Sequence, residues 1–191
     1  MTNSIWKDAV TPSIIFALIS IIVSLVVYFF DLATKSLFAG LYIILFSTII
    51  NFILLLFLTK KYRNDILGGF IKYGKALLFG LIIGIYSSIL VASYNYVFST
   101  VIDTEYQKHT NEKAQVMTAN YMLEKGIPES KVNEIVDKMK EKELPSPIKT
   151  SLISIPATIF FVFIISLITS AIVKREQEIF VEETKETVDK N

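Results

Sequence analysis

Few side chains in this sequence can do acid, base, nucleophilic or metal chemistry, and their positions limit what chemistry is open. There is one histidine, His109, and no cysteine. His109 follows Lys108 and lies near Asp103 and Glu105. A histidine among carboxylates can hold a metal weakly or titrate near neutral pH. One histidine cannot build a multi-histidine metal site, and in so charged a segment it reads as surface. The missing cysteine removes disulfides, thiolate metal sites, redox pairs and a thiol nucleophile together. A serine nucleophile such as Ser87 or Ser88 needs a base within reach, and none stands in its stretch. The expectation is a protein with no catalytic, cofactor or metal site, and hence not an enzyme.

A second chemistry belongs to Lys60, Lys61, Arg63, Lys72 and Lys75, which surround Gly68-Gly69-Phe70 with Asp65 as the one acid. Glycines permit positive φ and close backbone approach. A Gly-Gly-aromatic turn beside cations could contact a lipid phosphate, although the order of a nucleotide phosphate-binding loop is missing. The alternatives are a plain turn between antiparallel helices, or an interfacial helical turn over 70–75.

The elements that position these residues follow from where charge is absent. No Asp, Glu, Lys or Arg occurs in 9–30, 36–59, 76–102 or 150–173. About 20 apolar residues cross a bilayer core of roughly 30 Å, so each run is long enough. Composition agrees, with 52% hydrophobic and 19% charged residues against about a quarter charged in soluble domains. The net charge of +1 argues against a nucleic-acid binder. The predicted fold is an all-α membrane protein with transmembrane helices over about 9–30, 36–59, 76–98 and 150–173. These form one domain, 1–175, followed by a charged tail, 176–191, that extends the last helix and then frays. The first run is expected to be a retained helix, because its apolar core is longer than a signal core and no small-residue cleavage site follows it. Trp6 precedes it as an interfacial anchor, and Pro12 falls in its first turn.

The basic connector after the second span places it, and both termini, on the cytoplasmic side of the cell (inner) membrane. The polar insertion 99–147, which then faces outward, reads as a helical hairpin. Its first helix covers 111–125, with Ala114, Met117, Thr118, Tyr121 and Met122 on one face. Gly126 stops that helix, and Pro128 opens a second with Val132, Ile135, Val136 and Met139 on one stripe. These faces pack on each other, lie on the membrane surface or receive a protein partner. Met117, Tyr121, Val132, Val136 and Met139 are the candidate partner surface.

In the third span Ala76, Gly80, Gly84, Ser88 and Ala92 recur every four residues, so one face is small and allows close helix approach. It serves either a homo-oligomer or the bundle itself. Asn51, deep in the second span, is either a substrate contact or an interhelical hydrogen bond. Tyr94, Asn95, Tyr96 and Phe98 read as an aromatic belt. Pro156 cannot donate a helical hydrogen bond, so a kink is expected in the fourth span.

Several of these residues carry a resemblance. Arg63, the run Gly68-Gly69-Phe70-Ile71-Lys72-Tyr73-Gly74-Lys75-Ala76, Ile102-Asp103 with Tyr106, Met117, Met122 and Gly126-Ile127-Pro128-Glu129 are similar to an uncharacterised bacterial membrane-protein family, domain of unknown function 4199. Ser146-Pro147, Ser166-Leu167-Ile168 and Ala171-Ile172-Val173-Lys174-Arg175 fit the same pattern. Thr104 stands where that family usually has proline. The resemblance spans roughly 12–175 and implies four spans with a polar insertion before the last, and no assigned activity.

Two functions stay open. One is a non-enzymatic scaffold or accessory subunit using the outward hairpin. The other is an oligomeric pore or carrier for a small solute. Proton coupling is disfavoured, because it usually requires ionisable residues inside the spans.

Overall fold

The computed structural model describes residues 4–141 and 143–176. Helix α1 covers Ile5–Phe29, α2 Ala39–Lys61, α3 Tyr73–Val97, α4 Tyr106–Glu124, α5 Glu129–Glu141 and α6 Pro147–Val173. Short π turns extend α2 through Ile66 and α3 through Ile102. Four helices, Ile5–Phe29, Ala39–Ile66, Tyr73–Ile102 and Pro147–Val173, are long and apolar enough to cross a membrane. The chain is therefore an all-helical, multi-pass membrane protein in contact with the lipid bilayer.

Helix α3 is the centre of the bundle. Half of its most apolar window is buried, against 11% for α2. It packs most extensively on α6 and next on α1, while α2 leans mainly on α6. Lipid tails are as apolar as Leu, so burial alone does not draw spans together and close packing must do it. The small residues of α3 supply that packing. A methyl added at Gly80 would overlap the Ser166 hydroxyl, and one at Gly84 would meet Val162 at 3.1 Å. Ser166 Oγ donates to the Leu77 carbonyl at 3.4 Å.

We call the two ends of the bundle the glycine-turn end and the hairpin end. At the glycine-turn end the core is tight. Leu55, Phe79, Ile82, Ile83 and Val162 are almost fully buried. Tyr62 stacks on Phe79 with ring centroids 3.9 Å apart. Arg63 Nη1 donates to the Val173 carbonyl at 3.0 Å. The turn itself needs its glycines, since Gly68 and Gly69 have φ of +66° and +94°, a region costly to side chains with a Cβ.

Several boundaries differ from the sequence reading, each for a local reason. Helix α1 starts at Ile5, because the Ser4 carbonyl accepts from Lys7 and Asp8. Trp6 is thus inside the helix, edge-on to Tyr86 at 6.2 Å, and Pro12 is interior rather than in the first turn. Residues 70–75 are not a single helical turn. Ile71 is extended and exchanges two backbone hydrogen bonds with Arg175, at 2.8 and 2.9 Å. That bridge also ends α6 at Val173, so the last span does not run on into the tail. The remaining tail, 177–191, lies outside the described residues.

The hairpin's first helix begins at Tyr106, five residues before the predicted start, and so includes His109. The Asp103 carboxylate accepts from the Glu105 N–H at 3.2 Å and sets up the entry. At its far end the Gly126 N–H donates to Leu123 and the Ile127 N–H to Met122, with Gly126 at φ +75°. This is a Schellman stop. Pro128 lies just before α5, and its carbonyl accepts from Lys131 and Val132.

Candidate functional site, a capped polar vestibule

At the hairpin end the helices separate. A cavity of about 460 Å³ opens between α1, α3, α4 and α6. Helix α1 contributes Ser24 and Tyr28, α3 Tyr94 and Asn95, α4 Gln107 and Thr110, and α6 Thr150 and Ser151. A smaller recess of about 210 Å³ lies between α1 and α2 and shares Ser24 and Val27 with it. Its polar groups are Ser20, Ser47 and Asn51, and the Ser20 hydroxyl donates to Asn51 Oδ1 at 3.1 Å.

Helix α4 lies over this cavity, held by contacts from three directions. Lys113 Nζ pairs with Asp31 at 2.7 Å. Gln107 Nε2 donates to Thr150 Oγ1 at 3.5 Å. Tyr121 meets Phe38 edge-on at 6.0 Å. Asp31 occupies the α1–α2 turn with φ +48°. The Lys113 hydrogen bond, helped by Thr34, holds its carboxyl below the usual carboxylate range. Under α4 the aromatic side chains form one cluster. Tyr28 packs edge-to-face with Phe98 at 4.9 Å and with Tyr106 at 5.2 Å. The Tyr28 hydroxyl donates to Asp103 Oδ2 at 3.0 Å.

The cavity wall carries hydroxyls, amides and aromatic rings, and among the described residues no charged side chain. Ser151 Oγ in that wall is buried without a hydrogen-bond partner. A buried hydroxyl without a partner costs about 1–3 kcal/mol, and among the described residues Ser170 Oγ, further along α6, is left in the same state. The arrangement offers neutral hydrogen bonding and ring faces, and no paired nucleophile and base. His109 is exposed and lines an adjoining pocket with Asp31, Asp103 and Lys113, which shares Tyr28, Tyr106 and Thr110 with the vestibule. Among the described residues no three His, Cys, Asp or Glu groups converge on a metal position. A larger hollow, about 620 Å³ between α1 and α2, is mostly apolar and lined by residues such as Ile22, Val26 and Phe46. It runs from the α1–α2 connection, at Leu32, Lys35 and Ser36, down between the two helices to Ile50.

The residues singled out in the sequence fall in three places. Gly80, Gly84 and Ser88 are buried inside the chain, the two glycines against α6, so this stripe is not an open face for a second copy. Asn51 borders the recess. Lys60, Lys61, Lys72 and Lys75 are exposed at the glycine-turn end, with Arg63 partly buried. In the hairpin Val132 is almost fully buried, Met117, Val136 and Met139 are half-buried, and Tyr121 is exposed at its rim against Phe38. Much of the apolar face is therefore consumed between α4 and α5.

Sequence reasoning missed the vestibule. Tyr94 and Phe98, read as part of a belt, turn into the cavity wall, and only Tyr96 of the three rings is exposed. Ser24, Tyr28 and Ser151 carried no motif, and Tyr106 stood out only through the family resemblance. Their signal was a polar or aromatic residue near a span end, which is common at any membrane interface.

No curated protein and no solved structure matches the chain. A family model does match, over residues 13–175, a range that takes in the first span from Ser13 onward, the other three spans, the hairpin and Arg175. The chain belongs to that family, DUF4199, described as proteins of unknown function.

Proposed function

We propose that this is a non-enzymatic accessory protein of the cell (inner) membrane, with both termini cytoplasmic and the hairpin outside, whose working part is the capped vestibule. The vestibule receives a neutral, hydroxyl-rich group, either a lipid headgroup or a small solute. The observation that carries this reading is the buried, partnerless Ser151 hydroxyl in an uncharged wall of amides, hydroxyls and rings. Ring faces suit the C–H side of a polyol, and a few placed polar groups fix its orientation. The positive-inside rule supports the orientation.

The pore reading draws less support within one chain. The glycine-turn end is filled by Tyr62, Phe79 and Leu55, so a path would have to run between copies. The scaffold reading keeps the exposed side of the hairpin, where Ile135 stands exposed, and Ile135→Glu should abolish a partner contact there.

The protein has no native cysteine, so Asn95→Cys is a clean reporter of the cavity. Its labelling by a small neutral thiol reagent should be slower in a maltoside detergent, whose sugar headgroup is the probe, than in a zwitterionic detergent of equal chain length. Equal rates would overturn the binding reading. In intact cells an impermeant reagent should label Lys131→Cys and spare Asn64→Cys and Glu183→Cys. The reverse pattern would invert the orientation.

A further inference from the structure

At the opposite end from the vestibule, the fold assembles a basic pocket that no single stretch of sequence contains. Its volume is about 520 Å³. Lys72 and Lys75 come from the start of α3, and Arg175 comes from beyond the end of α6. The double backbone bond between Ile71 and Arg175 holds these two segments in register. The Arg175 guanidinium lies 5.6 Å from the centre of the Phe70 ring, a contact that orients the planar fork. Among the described residues none of the three cations is in an ion pair. Glu176 also lines it, so among the described residues three positive charges and one negative leave the pocket with a surplus of two.

We propose that this pocket binds the phosphate of an anionic lipid headgroup, with Arg175, Lys72 and Lys75 as its ligands. Depth argues for a lipid. The pocket lies where α3 begins and α6 ends, which is the level of the headgroups if those helices span the bilayer. Phe70 and Leu67 line the same pocket and give glycerol and upper acyl carbons an apolar wall. Arginine grips a phosphodiester through two parallel N–H groups, and each nearby lysine adds about fivefold in affinity at a membrane surface. A uniformly basic rim would attract lipid loosely. A pocket clasped by backbone bonds should retain a counted number of molecules.

The test uses the full chain in a neutral detergent, with native mass spectrometry after adding phosphatidylglycerol or phosphatidylethanolamine. One phosphatidylglycerol should be retained preferentially. Lys72→Gln with Lys75→Gln, both exposed and outside the core, should lower that retention about 25-fold if each lysine contributes fivefold. Arg175→Gln should lower it further. Lys60→Gln with Lys61→Gln should leave it in place. Equal loss in both double variants would mean a diffuse field and would overturn the proposal, as would a wild type that retains both lipids equally. Inorganic phosphate at millimolar concentration should not displace the lipid, and displacement would reassign the site to a soluble anion and overturn the lipid reading. The thermal unfolding midpoint of each variant without added lipid should match the wild type, which separates lost binding from lost folding.

Discussion

At the glycine-turn end α3 and α6 approach so closely that a methyl on Gly80 would overlap the Ser166 hydroxyl. At the hairpin end the same two helices leave room for a cavity of about 460 Å³ lined by Tyr94, Asn95, Thr150 and Ser151. The difference begins in side-chain size. One stretch of α3 presents Ala76, Gly80 and Gly84 to its neighbours, and the next presents Tyr94, Asn95 and Phe98. In a bilayer the gain from association is contact and hydrogen bonding rather than escape from water. Small residues let one end close, and large polar ones hold the other open.

The contrast can be broken most directly at Gly80. Gly80→Leu should destabilise the closed end by about 3 kcal/mol, the upper part of the range for overpacking. It should appear as loss of monodisperse protein in size-exclusion chromatography and a lowered unfolding midpoint. Leucine at Thr110, over the cavity, should cost far less by the same assay. A smaller effect is expected at Gly126, whose φ of +75° makes Gly126→Ala cost about 1 kcal/mol. That loss should loosen the hairpin in hydrogen exchange while leaving protection of α3 unchanged.

Two serines sharpen the comparison. Ser166→Ala removes a hydroxyl that donates to Leu77, and about 0.6 kcal/mol should be lost, a typical value for such a bond in a membrane. Ser151→Ala removes a hydroxyl with no partner. It should leave the unfolding midpoint unchanged or slightly raised, yet abolish the maltoside protection of Asn95→Cys.

The smallest effect concerns pH. The Lys113 partner lowers the Asp31 pKa, so this pair favours the docked hairpin above the ordinary carboxylate value of about 3.9. The contribution is lost as pH falls through the lower, docked-state value. Fluorescence quenching between labels on the α1–α2 turn and α4 should stay flat from pH 8 to 5, weaken only below about 4, and be pH-independent in Asp31→Asn.

The spans were legible because charge cannot be hidden in lipid, so 9–30, 36–59, 76–102 and 150–173 announce themselves. The small face of α3 was legible too, from a four-residue period. What covers that face was not, since a stripe of Gly and Ser accepts α6 or another chain equally well. The early start of α4 was hidden because Asp103 and Glu105 look like loop residues until their local hydrogen bond is seen. The vestibule was the least legible part. Its wall comes from four segments far apart in the chain, and each contributes only three to five ordinary interfacial residues. Arg175 stood out in the sequence only as the end of the closing motif after the last span. Its closeness to Lys72 follows from the backbone bridge, which sequence pattern does not announce.

The seam between α3 and α6 has a consequence for biosynthesis. Leu77 and Ser166, which meet across it, are 89 residues apart. At about 5–20 residues per second, α3 waits roughly 4–18 s for its partner to leave the ribosome. Throughout that interval its glycine face has only α1 and α2 from its own chain as neighbours, with lipid or the insertion machinery against the rest. The face that ends as the tightest contact in the molecule is thus the last to be covered, and the nascent chain is most vulnerable to wrong helix pairing while the hairpin is being made.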